Sequence, residues 1–263
     1  MIGGWLAMTL YGSEQVLLEK VMTNKKVLIY RVTLRDGENR FTLAMNEQLL
    51  KTLDLIESSF IGHPSIQKAA LLITGTDKYF SLGLDLCSYY NSPSPQDLFH
   101  KTYQKLIARI LVFPLVTVAV INGHAIAGGM VLALSCDYRV MNEQRGFMAM
   151  NEIHLPSSIP AGMMSILRAK IGDVELLKDI VLLGEKYTGR QMKEYNVVHS
   201  SLTGEGLIEE GLRMAAIHAH PIGKAPFVST IKKVLYKTAL KELTEPEDFD
   251  HFGFAQHFNS SKL

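Results

Sequence analysis

The sequence predicts an α/β domain that ends in helices, and three observations carry that prediction. Runs of β-branched and aromatic residues interleave with stretches of helical apolar spacing from Val27 to Met150. Helical patterns dominate from Pro160 to Leu243. The chain is also long and apolar enough to bury a full core, with 263 residues of which 47% are hydrophobic and 20% charged.

Taken in order, residues 27–34 (Val-Leu-Ile-Tyr-Arg-Val-Thr-Leu) read as a strand, and Arg35-Asp36-Gly37-Glu38-Asn39 as the turn that ends it. Residues 45–58 place Met45, Leu49, Leu50, Leu53 and Ile56 on one face of a helix. After the His63-Pro64 break, residues 69–74 form a short continuous apolar run suited to a buried parallel strand. Asn-Ser-Pro-Ser-Pro at 91–95 is a loop and helix start, and residues 96–111 continue as an amphipathic helix. Residues 115–121 are the next buried strand, residues 125–135 a helix beginning near two glycines, and residues 146–150 another short strand. Segments 1–16 and 246–259 carry no pattern that specifies an element, and there is no internal repeat.

Composition excludes several function classes. With 27 basic and 26 acidic side chains, the formal charge is +1, which argues against a nucleic-acid binder that must neutralise phosphates. Cys87 and Cys136 are too few for a disulfide framework and lack metal or redox spacing, so both read as free thiols in a reducing compartment. The histidines, His218 and His220 included, lack the spacing and partners of a metal site, so no metal is expected. The N-terminus is apolar but short and has no basic flank, and residues 107–119 are interrupted by Arg109 and Pro114, so neither a cleaved signal nor a membrane span is expected. The last three residues, Ser261, Lys262 and Leu263, match the Ser-Lys-Leu address read by the peroxisomal import receptor at a free C-terminus. Localisation to the peroxisome is therefore expected.

Three segments share a backbone turn placed at the end of a buried strand. They are residues 74–86 (Thr-Gly-Thr-Asp-Lys-Tyr-Phe-Ser-Leu-Gly-Leu-Asp-Leu), 122–130 (Asn-Gly-His-Ala-Ile-Ala-Gly-Gly-Met) and 147–160, which contains Met150-Asn151-Glu152. Singly, a glycine-rich turn after a strand is usually only a turn. Their order and spacing are more specific.

Together they resemble the crotonase superfamily, the enoyl-CoA hydratase and isomerase group, over about residues 27–243. Within it the likeness is greatest to plant-type peroxisomal Δ3,Δ2-enoyl-CoA isomerases, whose Gly-Glu-x-Arg-Phe, Phe-Ser-x-Gly-x-Asp-Leu, Asn-Gly-His-Ala and Met-x-Glu stretches are matched at 37–41, 80–86, 122–125 and 150–152. The resemblance implies a crotonase-like ββα spiral core over residues 1–200 and a helical trimerisation region with the targeting tail over residues 201–263. It also implies trimers or dimers of trimers.

The resemblance further implies an acyl-CoA substrate, with no cofactor beyond the CoA that the substrate carries. The Leu84 and Gly128 amides would form an oxyanion hole, Glu152 would be the catalytic base, Ser81, Leu82 and Gly83 would meet the CoA moiety through main-chain atoms, and Asn151 the acyl thioester. Hydratases of this group use two glutamates; at the position of the first this chain has Val131, which favours isomerisation over hydration. Asp137 corresponds to a structural acidic position, and His124 to packing or support behind the oxyanion turn. Arg40, Lys78 and the Lys232-Lys233 pair are candidates for the CoA 3′-phosphate, against a solvated surface role for any one of them. Methionines 130, 148, 150, 163 and 164 read as core filling ahead of a deformable acyl wall. Pro156, Ser157 and Ser158 depart from the family pattern near the base, which would reshape the acyl pocket. Two alternatives stay open: another crotonase-type acyl-CoA reaction such as hydration or thioester hydrolysis, and an inert acyl-CoA binder that keeps the fold.

Overall fold

The structure, a computed structural model, describes residues 6–23, 27–60, 67–155, 158–204 and 206–245. The Ser-Lys-Leu terminus, the 246–259 tail, Pro156 and Ser157 lie outside the described residues. A hairpin of β1 (Leu6–Gly12) and β2 (Val16–Met22) leads into β3 (Val27–Leu34), followed by α1 (Leu43–Phe60), β4 (Lys68–Thr74), β5 (Tyr79–Ser81) and α2 (Leu86–Tyr90). A longer helix then runs from α3 (Pro95–Phe99) through a π turn at His100–Gln104 into α4 (Lys105–Leu111). Next come β6 (Val116–Ile121), β7 (His124–Ile126), α5 (Gly128–Ser135), β8 (Tyr138–Asn142), β9 (Met148–Ala149), a 3-10 turn at Glu152–His154 and α6 (Ala161–Lys170). The remaining regular elements include α7 (Val174–Lys178), α8 (Gly189–Glu194), β10 (Ser200–Leu202), α9 (Leu207–His218), β11 (His220–Pro221), α10 (Ala225–Leu235) and α11 (Lys237–Thr244).

The strands form two sheets. The larger has the order β1-β2-β3-β4-β6-β8-β10, antiparallel across β1, β2 and β3 and parallel from β3 to β10, with β11 antiparallel to the start of β4. All six residues of β6 are buried, as an apolar strand covered on both faces requires. One face meets the main core, with Leu71, Ile73, Ala119 and Ile121 packed toward α1, α4 and α5 residues. The other takes α9, whose Leu212 and Ala215 cover Ile29, Leu72 and Val120. Gly211 permits that approach, because a Cβ there would lie 2.2 Å from Val120 Cγ2. The smaller sheet, β5-β7-β9, is entirely parallel.

Several sequence expectations are met to within a residue or two: the strands at 27–34, 69–74 and 115–121, and the helix at 45–58. The helix expected at 125–135 begins later. Residues 124–126 pair as β7 between Tyr79-Ser81 and Met148-Ala149, and the helix starts only at Gly128. A three-residue strand is too short to print a period of two, so the small-residue run read as helix. Part of the segment expected to carry no element, residues 6–12, is β1, most of it exposed at the sheet edge.

The C-terminal helices are tied to the core by buried polar contacts. Lys232 Nζ donates to Asp137 Oδ2 at 2.6 Å, Leu115 O at 2.9 Å and Phe113 O at 3.0 Å. Lys232 is therefore not a solvated surface cation or a phosphate ligand; it is 6% exposed and structural. Asp137 also accepts from the Thr117 amide at 2.8 Å and hydroxyl at 3.1 Å, consistent with the structural role expected for it. Lys170 Nζ donates to Tyr236 Oη at 2.7 Å, joining α6 to the junction of α10 and α11. On the outer side of α10, Phe227, Ile231, Val234 and Leu235 form an exposed apolar stripe at helical spacing. Cys87 is exposed, Cys136 is buried, and both are free. Among the described residues no helix is long and apolar enough to cross a membrane, and no cluster of metal-ligating side chains occurs.

Candidate active site

The small sheet assembles the site. Because β5, β7 and β9 are parallel neighbours, their C-terminal ends lie at one edge, and each runs directly into one of the three turns singled out in the sequence. Leu82 to Asp85 follow β5, Ala127 and Gly128 follow β7, and Asn151 and Glu152 follow β9. They converge on a cavity of about 480 Å³, lined mainly by apolar groups, whose walls include Leu82, Leu84, Gly128, Asn151 and Glu152.

The first turn is stitched to the segment at 38–41, which explains the Gly-Glu-x-Arg-Phe stretch structurally. The Leu82 amide donates to Glu38 O at 3.0 Å, the Gly83 amide to Ser81 Oγ at 3.1 Å, and the Asp85 amide to Phe41 O at 3.3 Å. In the reverse direction the Phe41 amide donates to Gly83 O at 2.8 Å. Of four consecutive amides, only that of Leu84 is left without an acceptor among the described residues. An N–H withheld from the fold at a cavity wall is available to a ligand.

The second turn brings another such amide alongside. Ala127 has φ 51° and ψ −121°, an uncommon conformation for a residue with a Cβ, held by its amide donating to Ala149 O at 2.8 Å. That ψ sets the plane of the next peptide, which carries the Gly128 N–H. Gly128 is the first residue of α5, where amides have no intrahelical partner and the helix end is electropositive. The two turns touch: Gly83 has φ +82°, and a Cβ there would fall 2.8 Å from Gly128 N and 2.9 Å from Ile126 O. Glycine at 83 is thus required both by its conformation and by the contact between backbones.

The third turn supplies the carboxyl. Glu152 begins the 3-10 turn, is 9% exposed, and among the described residues has Oε2 buried without a hydrogen-bond partner; Asn151 Oδ1 is in the same condition. Burial pushes the Glu152 pKa from 4.5 up to about 7, against the partial compensation of the Glu152 and Asn151 backbone amides. Two orphaned acceptors side by side in an apolar cavity are costly unless a ligand meets them. The other lining carboxylate, Asp85, accepts from Ser88 Oγ at 2.5 Å.

Not every expected residue reaches the cavity. Ser81 is fully buried, its Oγ donating to Asn39 O at 2.7 Å, so its hydroxyl pins the turn; Gly83 likewise stands behind the wall. Val131 is fully buried in the core. His124 lies between the Tyr79 and Phe147 rings, at 5.8 and 5.5 Å, and its pKa is lowered by desolvation and then by Lys186 and Lys78. Met130, Met148 and Met150 are core residues, whereas Met163 lines the cavity. Arg40 is at the cavity wall and paired with Glu38 at 2.6 Å. Leu86, Phe99, Leu155 and Pro160 complete much of the apolar lining; Phe99 was not singled out in the sequence, since nothing in its spacing separates a pocket wall from ordinary core.

The profile of the family described as enoyl-CoA hydratase/isomerase matches residues 24–262. The chain belongs to the enoyl-CoA hydratase/isomerase family. Enoyl-CoA delta isomerase 1, peroxisomal, of Arabidopsis thaliana is 32% identical over 166 residues, 63% of this chain and 68% of the relative. Enoyl-CoA delta isomerase 2, peroxisomal, of the same plant is 30% identical over 209 residues, 76% of this chain and 85% of the relative. Among solved structures, human mitochondrial delta3-delta2-enoyl-CoA isomerase superposes with a TM-score of 0.72 at 21% identity, covering 94% of this chain and 98% of that one. An enoyl-CoA hydratase from Mycobacterium marinum gives the same TM-score at 20% identity, with 92% and 98% covered. The crotonase fold is therefore established for this member of the family, and the fold by itself does not separate isomerase from hydratase.

Proposed function

We propose that the chain is a Δ3,Δ2-enoyl-CoA isomerase that converts 3-enoyl-CoA to trans-2-enoyl-CoA. The observation that carries this reading is a buried carboxyl with a pKa near neutrality and an unpartnered oxygen, in one cavity with two backbone amides that the fold leaves free. The α-carbon of an acyl thioester is weakly acidic, and removing its proton moves charge onto the thioester oxygen. Two aimed amides stabilise that charge, each worth about 3–4 kcal/mol by precedent for oxyanion donors.

In this reading the Glu152 carboxylate takes a proton from C2, and the C–H electrons pass into a dienolate whose oxygen accepts from the Leu84 and Gly128 amides. The Glu152 carboxyl then returns the proton at C4, and the double bond moves from C3–C4 to C2–C3. No electrons or further reactants are needed, so CoA serves only as the substrate's handle. Leu82 and Asn151 contact the substrate at the cavity wall, and Ser81 and Gly83 act by holding the turn. Hydration calls for a second group to position water, and the position that supplies it in hydratases is Val131, fully buried here. Names of the Arabidopsis relatives support the same reaction.

The assay is incubation with 3-enoyl-CoA and, separately, 2-enoyl-CoA. Formation of the conjugated thioester from the first is expected, and hydration of the second without any double-bond shift in the first overturns the reading. Unchanged turnover in Glu152→Gln would remove Glu152 as the base.

We further propose peroxisomal residence through Ser261-Lys262-Leu263, and assembly into trimers or hexamers for which the exposed stripe on α10 is suited. Deletion of Leu263 should abolish punctate import, and sedimentation should give a mass that is a multiple of three chains.

A further inference from the structure

Tyr103 stands behind the oxyanion turn and touches it directly. It is fully buried, and its hydroxyl donates to Gly128 O at 2.6 Å. The same oxygen and Cζ would be the nearest atoms to a Cβ on Gly128, at 2.8 and 3.1 Å. The ring is clamped on two sides, stacked on Phe99 at 5.6 Å and tilted against Phe41 at 5.1 Å. Phe99 lines the cavity, and Phe41 donates its amide to Gly83 O in the first turn. Tyr103 also sits within the π turn His100–Gln104, where one extra residue is accommodated in a helix. His100 Nδ1 and Gln104 Oε1, 2.8 Å apart, span that turn.

We infer that Tyr103 is a positioning residue for the oxyanion hole: its hydroxyl holds the Gly128 carbonyl and with it the Gly128–Gly129 peptide, which restrains the C-terminal side of the Ala127–Gly128 peptide so that the Gly128 N–H points into the cavity. The inference rests on the isomerase reading for its kinetic consequence and on geometry alone for the aim of the amide. The Gly128 carbonyl has two lone pairs, so the phenol is accepted beside any helical bond. Ala127 is held on its N-terminal side by the Ala149 carbonyl. The phenol supplies the restraint on the other side, and an amide fixed at both ends needs no reorganisation when charge arrives. Burial, together with the neighbouring Tyr89 and Glu152 charges, keeps the phenol protonated far above neutral pH, so it remains a donor throughout the working range.

Tyr103→Phe removes the hydroxyl and keeps both ring contacts. Tyr89→Phe is the control, since Tyr89 is equally buried and its hydroxyl meets Asn46 Nδ2 at 2.7 Å and Thr102 Oγ1 at 3.4 Å in place of the Gly128 carbonyl. The readout is the thioester carbonyl stretch of bound, carbonyl-labelled 2-butenoyl-CoA, followed by difference infrared spectroscopy on the full-length protein. Wild type should lower this frequency relative to free ligand. Tyr103→Phe should lose at least half of the lowering, and Tyr89→Phe should retain it. With 3-enoyl-CoA, Tyr103→Phe should reduce kcat by about 10- to 100-fold with KM changed less than threefold, as expected when a donor is misaimed. A carbonyl frequency in Tyr103→Phe equal to that of wild type overturns the inference, as does an equal loss in Tyr89→Phe. If wild type lowers the carbonyl frequency without isomerising 3-enoyl-CoA, the proposed reaction fails while the assignment of Tyr103 stands on the spectrum.

Discussion

Glu152→Gln separates what the buried carboxyl costs the fold from what it does for the reaction. In the folded chain its pKa is about 7 against an ordinary 4.5, chiefly because burial disfavours the charged form. A carboxyl that binds its proton more tightly when folded makes the protein lose stability as pH rises from 4.5 through 7, and the loss is complete above that window. At about 1.4 kcal/mol per pH unit, this amounts to roughly 3 kcal/mol. Glutamine has nearly the same shape and cannot ionise. The stability difference between variant and wild type should therefore be near zero at pH 4.5 and open to roughly 3 kcal/mol in favour of the variant by pH 8. For a chain of this size that corresponds to about 6–12 °C in melting temperature. Thermal melts of both proteins at fixed ionic strength across this range are the assay, with 3-enoyl-CoA turnover measured on the same samples. A gap that does not change with pH, or one that closes as pH rises, would refute the assignment of the raised pKa to Glu152.

The same pKa sets the rate profile: kcat/KM for 3-enoyl-CoA should climb as pH rises through about 7 and then level, because the proposed base is the ionised carboxylate. A profile flat from pH 5 to 8 would count against it. Gly128→Ala places a methyl group 2.8 Å from Tyr103 Oη, so one turn or the other must shift; turnover should fall by about 100- to 1,000-fold with the fold retained. Activity within threefold of wild type would show that the Gly128 amide is not a donor. Lys232→Met leaves Asp137 with only its Thr117 donors, and denaturant unfolding should register a loss of about 3–5 kcal/mol. A loss below about 1 kcal/mol would mean that the pair is not holding α10 to the core.

How much was legible depends on length scale. Residues 27–34 and 115–121 were readable from their β-branched content, and 69–74 as a short continuous apolar run bounded by breaks, the pattern of a buried parallel strand. Of the small sheet only β9 was read, within the short strand expected at 146–150; β5 and β7, three residues each, carry no period. Its consequence was nevertheless visible, because each strand runs into a turn whose glycines and carboxyl are spelled out in order. Glu152 and the Gly83 and Gly128 positions could be named for that reason. The inward turn of the Ser81 hydroxyl could not be read, because it depends on the carbonyl of Asn39, 42 positions away. Tyr103 left no trace: an aromatic in an amphipathic helix reads as core, and the π turn that contains it has no sequence signature. Lys232 was misread for a related reason, because a lysine in a basic pair gives no sign of a buried aspartate 95 residues away.

The amide of Leu84 has a property that side-chain groups lack. It is contributed by every residue except proline, so replacing the leucine with alanine, serine or glutamate changes the wall and leaves the electrophile in place. A side-chain truncation scan of Leu82, Leu84 and Leu86 would describe a tolerant apolar surface and pass over the amide proposed to meet the developing charge. The converse freedom is evolutionary. Acyl preference can be retuned at 82, 84 and 86 by ordinary substitution while the polar machinery is inherited intact from the backbone, and only Leu84→Pro would delete it.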